Sequence, residues 1–169
     1  ARKNSPQKIT SLVNSLTLID HNGFAFNSSS FKQQPSLLFF GFTHCPEVCP
    51  TTLSELSEII DNLKTKIKTT NIIFITLDPE RDNQKHLKEY IKYFGKNITG
   101  VTGNIKDLKK LADNLNVYYE KKLTSKNNYT LNHTATVFMI DKEGNYRGTI
   151  AWGENKNSTI QKIIKLSNY

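Results

Sequence analysis

Residues 37–53 read Leu37-Leu38-Phe39-Phe40-Gly41-Phe42-Thr43-His44-Cys45-Pro46-Glu47-Val48-Cys49-Pro50-Thr51-Thr52-Leu53. The run Leu37–Phe40 is apolar without alternation, the pattern of a strand covered on both faces. From Leu53 onward the apolar residues fall at Leu53, Leu56, Ile59, Ile60 and Leu63, the spacing of a helix with one buried stripe. Between strand and helix lies a loop that carries both cysteines of the chain, Cys45 and Cys49. Sites in α/β sheets gather beyond the carboxyl ends of the strands. The cysteine loop is therefore where chemistry is expected.

Outward from this unit the pattern repeats. Asn71–Leu77 reads as a second buried strand. Asp82–Phe94 places Leu87, Tyr90, Ile91 and Phe94 on one helical face, and Gly95 marks the stop. Ile98–Val101 reads as a short strand. Ile105–Leu115 reads as a helix with Ile105, Leu108, Leu111, Ala112 and Leu115 inward. Val117–Glu120, Ala135–Ile140 and Tyr146–Ile150 read as strands, the last two joined by the turn Asp141-Lys142-Glu143-Gly144. Ser158 opens a final helix. Near the start, Leu16–Ile19 and Phe24–Phe26 flank Asn22-Gly23, a hairpin signal. The expectation is an α/β fold: a central mixed sheet flanked by helices, with an added N-terminal β-hairpin. One domain covers residues 16–169, and residues 1–15 form a disordered or extended lead.

Composition narrows the function classes. Of 169 residues, 37% are hydrophobic, 22% charged and 10% aromatic, which suits a packed domain rather than a disordered chain. The longest strongly apolar run, Leu37–Phe42, is far short of the ~20 residues that span a bilayer. The net charge of +8 is spread along the chain and not gathered on one element, which argues against nucleic-acid binding.

The cysteines are four apart, and a loop this small gains little entropy from closure, so a working pair is favoured over a structural staple. Pro50 is expected outside the body of the helix, because its ring clashes with the carbonyl four residues back. That makes Cys49 the N-cap, or Thr52 the cap with Glu55 completing a capping box. On either reading Cys49 stands at a helix N-terminus, where partial positive charge lowers a thiol pKa. Cβ atoms at i and i+4 of an ideal helix are ~5–6 Å apart, while a disulfide wants about 3.8 Å. A bridge is permitted by the two prolines but not imposed. The pair by itself reads equally as a metal site or as a redox pair.

Four histidines are available as further ligands. His21 lies in the hairpin turn, His86 on a helix between lysines, and His44 beside Cys45. His133 lies in Thr130-Leu131-Asn132-His133-Thr134-Ala135, just ahead of a buried strand. A strand-edge histidine is ordinarily structural, but two thiols nearby change that weighing. Two sulfurs and an imidazole suit Cu(I) or Cu(II), and with an open position also zinc. No proline occurs from Lys121 to Tyr169. Oxidoreductases of the thioredoxin type place one opposite their cysteine pair, so its absence counts against a general disulfide reductase and leaves His133 facing the thiols.

The segment Phe40–Leu53 closely resembles the signature of the Sco/SenC family of copper proteins. So do Thr76-Leu77-Asp78-Pro79-Glu80-Arg81-Asp82, Gly100-Val101-Thr102-Gly103 and Asn132-His133-Thr134-Ala135. The resemblance covers nearly the whole chain. It implies a thioredoxin-like fold and one copper ion, Cu(I) or Cu(II), bound by Cys45, Cys49 and His133. It implies a metallochaperone that helps build the binuclear copper centre of cytochrome c oxidase. The partners it implies are the copper-bearing oxidase subunit and another copper chaperone as donor. The alternative is a thiol–disulfide reductase that acts on that subunit's cysteines through Cys45 and Cys49. Family members are anchored by an N-terminal helix and face the bacterial periplasm or the mitochondrial intermembrane space, so the chain is expected as the soluble domain of such a protein. The acid matching Asp78 lies near the metal in the family. Asp78-Pro79-Glu80 also has the form of a helix N-cap, so both roles are open.

Overall fold

The computed structural model describes residues 8–125 and 128–169, apart from the side chain of Asn132. In chain order the elements are α1 (Ile9–Asn14), β1 (Leu18–Asp20), a 3-10 turn (Ser28–Phe31), β2 (Ser36–Gly41), α2 (Val48–Leu63), β3 (Asn71–Thr76), α3 (Gln84–Ile91) and β4 (Ile98–Gly103). They continue as α4 (Ile105–Asn114), β5 (Tyr119–Ser125), β6 (Asn128–His133), β7 (Val137–Ile140), β8 (Tyr146–Ile150) and α5 (Lys156–Ser167).

Six strands form one sheet in the order β1-β4-β3-β2-β7-β8. The pairs β2/β3 and β3/β4 are parallel, while β7 lies antiparallel to β2. All six residues of β2 are buried, as are the last five of β3. That is why these strands read as continuous apolar runs: helices and loops cover both faces. The helices turn their apolar stripes inward, Leu53, Leu56, Ile59 and Ile60 on α2, and Leu108, Leu111 and Ala112 on α4. Asparagine side chains cap three of them. Asn83 accepts from the His86 N–H, Asn104 from Asp107, and Asn155 from Asn157 and Ser158. The expected α/β architecture with a central mixed sheet is what forms.

Four expectations are corrected. The lead was expected to be disordered or extended over 1–15, but Ile9–Asn14 is a helix, with Ile9 and Val13 buried. The Ile9 N–H donates to the Gly144 carbonyl, so this helix docks on the β7–β8 turn. Residues 1–7 of the expected lead lie outside the described residues. The N-terminal hairpin shrinks to a turn with one antiparallel bridge, Ile19 to Ala25, because β1 spends its other edge on β4. Ile105 is exposed, since it stands at the first position of α4, one turn before the buried stripe. The strand expected at Val117–Glu120 begins instead at Tyr119 and runs to Ser125, pairing with β6 as a separate two-stranded hairpin. Six of the seven β5 residues are exposed, so no alternation announced it. Among the described residues no helix is long and apolar enough to cross a membrane.

Helix α1 is the element least expected, and it is testable. Ile9→Ala should lower the unfolding free energy by about 2 kcal/mol, read as a shifted urea midpoint. An unchanged midpoint would show that residues 9–14 add nothing to the fold.

Candidate metal centre

The chain leaves β2 at Gly41 in the middle of the sheet. A Cβ at Gly41 would lie 2.6 Å from the Cys49 sulfur and 2.7 Å from the Phe74 ring, so only glycine admits the sulfur there. A turn follows in which the Cys45 N–H donates to the Phe42 carbonyl. Helix α2 then starts at Val48, earlier than expected. Neither Cys49 nor Thr52 is its N-cap. Glu47 holds that place, and its side chain makes no capping bond. Pro50 is tolerated inside the first turn because N–H groups there lack intrahelical acceptors, and the Pro46 carbonyl it would otherwise strike lies outside the helix. The capping acceptor is sulfur: the Cys49 N–H donates to Cys45 Sγ at 3.4 Å.

This geometry reverses the expected order of acidity. The Cys45 pKa is pulled down to about 4, chiefly by the hydrogen bond from the Cys49 thiol. The N–H groups of Cys49 and Glu47 help, against the opposing effect of burial. Cys49 moves the other way. Its hydrogen bond to Cys45, then its burial, hold the proton on its sulfur. The helix terminus does stabilise a thiolate, but the thiolate is Cys45, which receives the N–H, and not Cys49, which sits within the turn. Both cysteines are free, Cys49 fully buried and Cys45 reaching the surface slightly.

His133 is the last residue of β6, paired with Tyr119 of β5. Its Nδ1 lies 3.0 Å from the Thr134 carbonyl, an acceptor only, so Nδ1 carries the hydrogen and Nε2 offers a lone pair. Nε2 lies 3.7 Å from Cys49 Sγ. The ring is held edge-on between Phe39 and Phe42, at centroid distances of 6.1 and 5.7 Å. The two sulfurs and the imidazole nitrogen all lie within 4.8 Å of one another. An ion bonded at about 2.3 Å to sulfur and about 2.0 Å to nitrogen would need donor separations of this order. Two soft sulfurs with one imidazole form a donor set suited to copper.

Asp78 is not part of that cluster, and it does not cap a helix. Its carboxylate is buried and accepts from the Tyr129 hydroxyl at 2.6 Å and from Arg81 Nε at 2.5 Å. The Arg81 guanidinium also donates to the Tyr129 carbonyl and stacks over the Tyr129 ring at 3.6 Å. Asp78 thus ties β6, and with it His133, to the loop after β3. The contacts of Tyr129 and Arg81 with Asp78 are ones that reading the chain missed. Nothing local marks a tyrosine on an exposed hairpin as a partner for an acid 51 positions away. Among the other histidines, His21 accepts from the Gly100 N–H and serves β4.

Comparison with known proteins agrees with the fold and places the chain in a family. The family model described as SCO1/SenC matches residues 4–168. The SCO2-like protein of Rickettsia felis is 40% identical over 131 residues, which cover 76% of this chain and 64% of that protein. The chain therefore spans just under two thirds of the length of the rickettsial relatives it matches. Among solved structures, ScoI of Bradyrhizobium japonicum with copper bound is 34% identical, with a TM-score of 0.80 over 90% of this chain and 96% of that one. ScoI of Arabidopsis thaliana with copper bound is 29% identical, with a TM-score of 0.84 over 89% and 94%. The thioredoxin-like fold of the Sco proteins is the fold of this chain.

Two outcomes are expected. In the reduced, metal-free protein one thiolate should persist, by its ultraviolet absorbance, down to a pH of about 4. Cys45→Ser should remove it, because a depressed thiol pKa keeps the anion at every pH above that value. Loss of the signal near the pH of an ordinary thiol would refute the assignment. Tyr129→Phe should cost about 1–3 kcal/mol by leaving a buried carboxylate oxygen short of a donor. It should also speed amide exchange in β6 more than in β3, while equal effects on both strands would speak against a tether specific to the hairpin.

Proposed function

The chain belongs to the SCO1/SenC family, and from that premise we propose that it binds one copper ion through Cys45, Cys49 and His133. It carries that ion to the copper-bearing subunit of cytochrome c oxidase during assembly of the binuclear centre. The observation that supports this reading most is the convergence of two sulfurs and one imidazole nitrogen within 4.8 Å at the carboxyl end of the central strands. Copper held there exchanges ligands readily, and the third coordination partner leaves a position free for an incoming cysteine. The residues divide the work. Cys45 supplies charge close to the surface, where a partner's ligand approaches. Cys49 supplies a second sulfur from the floor of the site. His133 presents a lone pair whose direction the Thr134 carbonyl fixes. Asp78, through Tyr129, keeps that histidine within reach. The donor of the ion is another copper chaperone, and the compartment is the periplasm or the mitochondrial intermembrane space, with the protein tethered to the membrane.

One feature favours a second reading. The Cys45 anion, hydrogen-bonded by the Cys49 thiol, is also the resting state of a dithiol reductant. On that reading Cys45 attacks a disulfide of the oxidase subunit and releases one of its thiols. Cys49, giving up its proton, then attacks Cys45 to close the internal disulfide and free the second thiol.

Addition of Cu(II) to the reduced protein separates the two. Copper binding at the sulfurs should produce strong thiolate-to-copper absorption, and His133→Ala should weaken and shift it. No such band, or an identical band in the variant, overturns the three-ligand site. A reduction potential well below that of the compartment would favour the reductase.

A further inference from the structure

A second group of metal-binding side chains takes one member from the cysteine loop and is used by neither reading. His44, Asp82 and His86 each offer a donor atom, and these atoms also lie within 4.8 Å of one another. The elements that gather them are distinct. His44 stands in the cysteine loop, Asp82 in the turn before α3, and His86 in the first turn of α3. The two imidazoles stack at a centroid distance of 5.9 Å and are both exposed, while the Asp82 carboxylate beneath them is fully buried.

The bonding around Asp82 is peculiar. Oδ2 accepts from the Thr43 N–H at 2.9 Å and the Thr76 hydroxyl at 2.7 Å, and Oδ1 accepts from the Thr43 hydroxyl at 2.5 Å. Among the described residues no lysine or arginine pairs with it, although buried carboxylates are ordinarily paired with a cation or bound to a metal. The same Thr43 oxygen lies 2.8 Å from His86 Nε2 and 3.4 Å from His44 Nδ1. One hydroxyl with one hydrogen is therefore the common neighbour of a carboxylate and two imidazoles. Its hydrogen goes to the carboxylate, so a ring nitrogen that faces its lone pairs donates a hydrogen of its own, which a bound ion would replace. The arrangement is a tripod of two nitrogens and one oxygen, closed below by buried charge and open above to solvent.

We propose that His44, His86 and Asp82 form a second metal site, for a divalent ion of borderline character, with Cu(II) the strongest binder by the ordinary sequence of affinities. The ligand chemistry differs from that of the sulfur site. Imidazole and carboxylate take a cupric or zinc ion, and lack the soft donors that hold Cu(I). His44 is joined to Cys45 by one peptide bond, so the cysteine loop contributes one ligand to each of two positions of unlike donor softness.

The test titrates Cu(II) into a Cys45→Ser/Cys49→Ser chain in a non-coordinating buffer, followed by calorimetry and electron paramagnetic resonance. One ion should bind, with hyperfine structure from two imidazole nitrogens and no thiolate absorption. Adding His86→Gln should weaken it by about tenfold or more, the least expected for loss of a direct ligand when indirect ones cost that much. His21→Gln should leave it unchanged. Should the serine variant fail to fold, the intact chain serves. Its second equivalent of Cu(II) should add the nitrogen signal, and His86→Gln should remove that equivalent and spare the thiolate band of the first. Binding of no ion beyond the sulfur site overturns the proposal, as does binding indifferent to both His44→Gln and His86→Gln. A nitrogen signal without any thiolate band supports it and counts only against the sulfur-bound copper.

Discussion

Complete burial of β2 is the constraint from which the rest follows. A strand with no exposed residue must lie in the interior of its sheet, with parallel β3 on one edge and antiparallel β7 on the other. Its carboxyl end then opens at the centre of the molecule, and the chain has only the loop 42–47 in which to turn before α2 begins. Both sulfurs are placed by that turn. Gly41 leaves space for one, and the start of α2 presents an N–H to the other. The site is a consequence of where a buried strand is obliged to end.

Helix N-termini commonly recruit an oxygen from Ser, Thr, Asp or Asn. Here the acceptor is a sulfur, and the usual energetic argument for capping becomes an argument about acidity. An N–H that would stabilise a helix by donating to a neutral acceptor stabilises an anion more strongly. The Cys49 thiol adds a second donor to the same sulfur. Charge is therefore concentrated on the cysteine nearer the surface, and the proton is retained on the buried one. This leaves a nucleophilic sulfur near the surface and a protected one behind it.

His133 reaches the sulfurs by a different principle. The hairpin that carries it stands apart from the main sheet, and the β5 strand is nearly all exposed, while β6 buries Leu131 in the core. A polar contact adds to that packing. The buried Asp78 carboxylate receives Tyr129 and Arg81, and the Arg81 guanidinium covers the Tyr129 ring. Such a latch, with one charge buried and another partly so, is more sensitive to the loss of either partner than a surface ion pair is. It leaves the imidazole held in place on a hairpin outside the main sheet.

Much of the architecture was legible along the chain because it rests on periodicity. Continuous apolar runs marked β2 and β3, and stripes at helical spacing marked α2, α3 and α4, since burial on two faces or on one leaves a signature in neighbouring residues. The Cys45–Cys49 spacing, and the resemblance carried by its flanks, likewise lie within a short segment. Three things did not. The docking of Ile9–Asn14 depends on the distant Gly144 turn. The identity of the acidic cysteine depends on which sulfur meets the Cys49 N–H, a matter of two residues in where α2 begins. The bracing of His133 depends on Tyr129 meeting Asp78 across 51 positions. Local order is set by interactions between near neighbours, so residue order alone determined the strands, the helices and the cysteine pair. Which atoms face one another at the site was decided only by the closed fold, because hydrogen bonds and charge act through space and leave no period in the sequence.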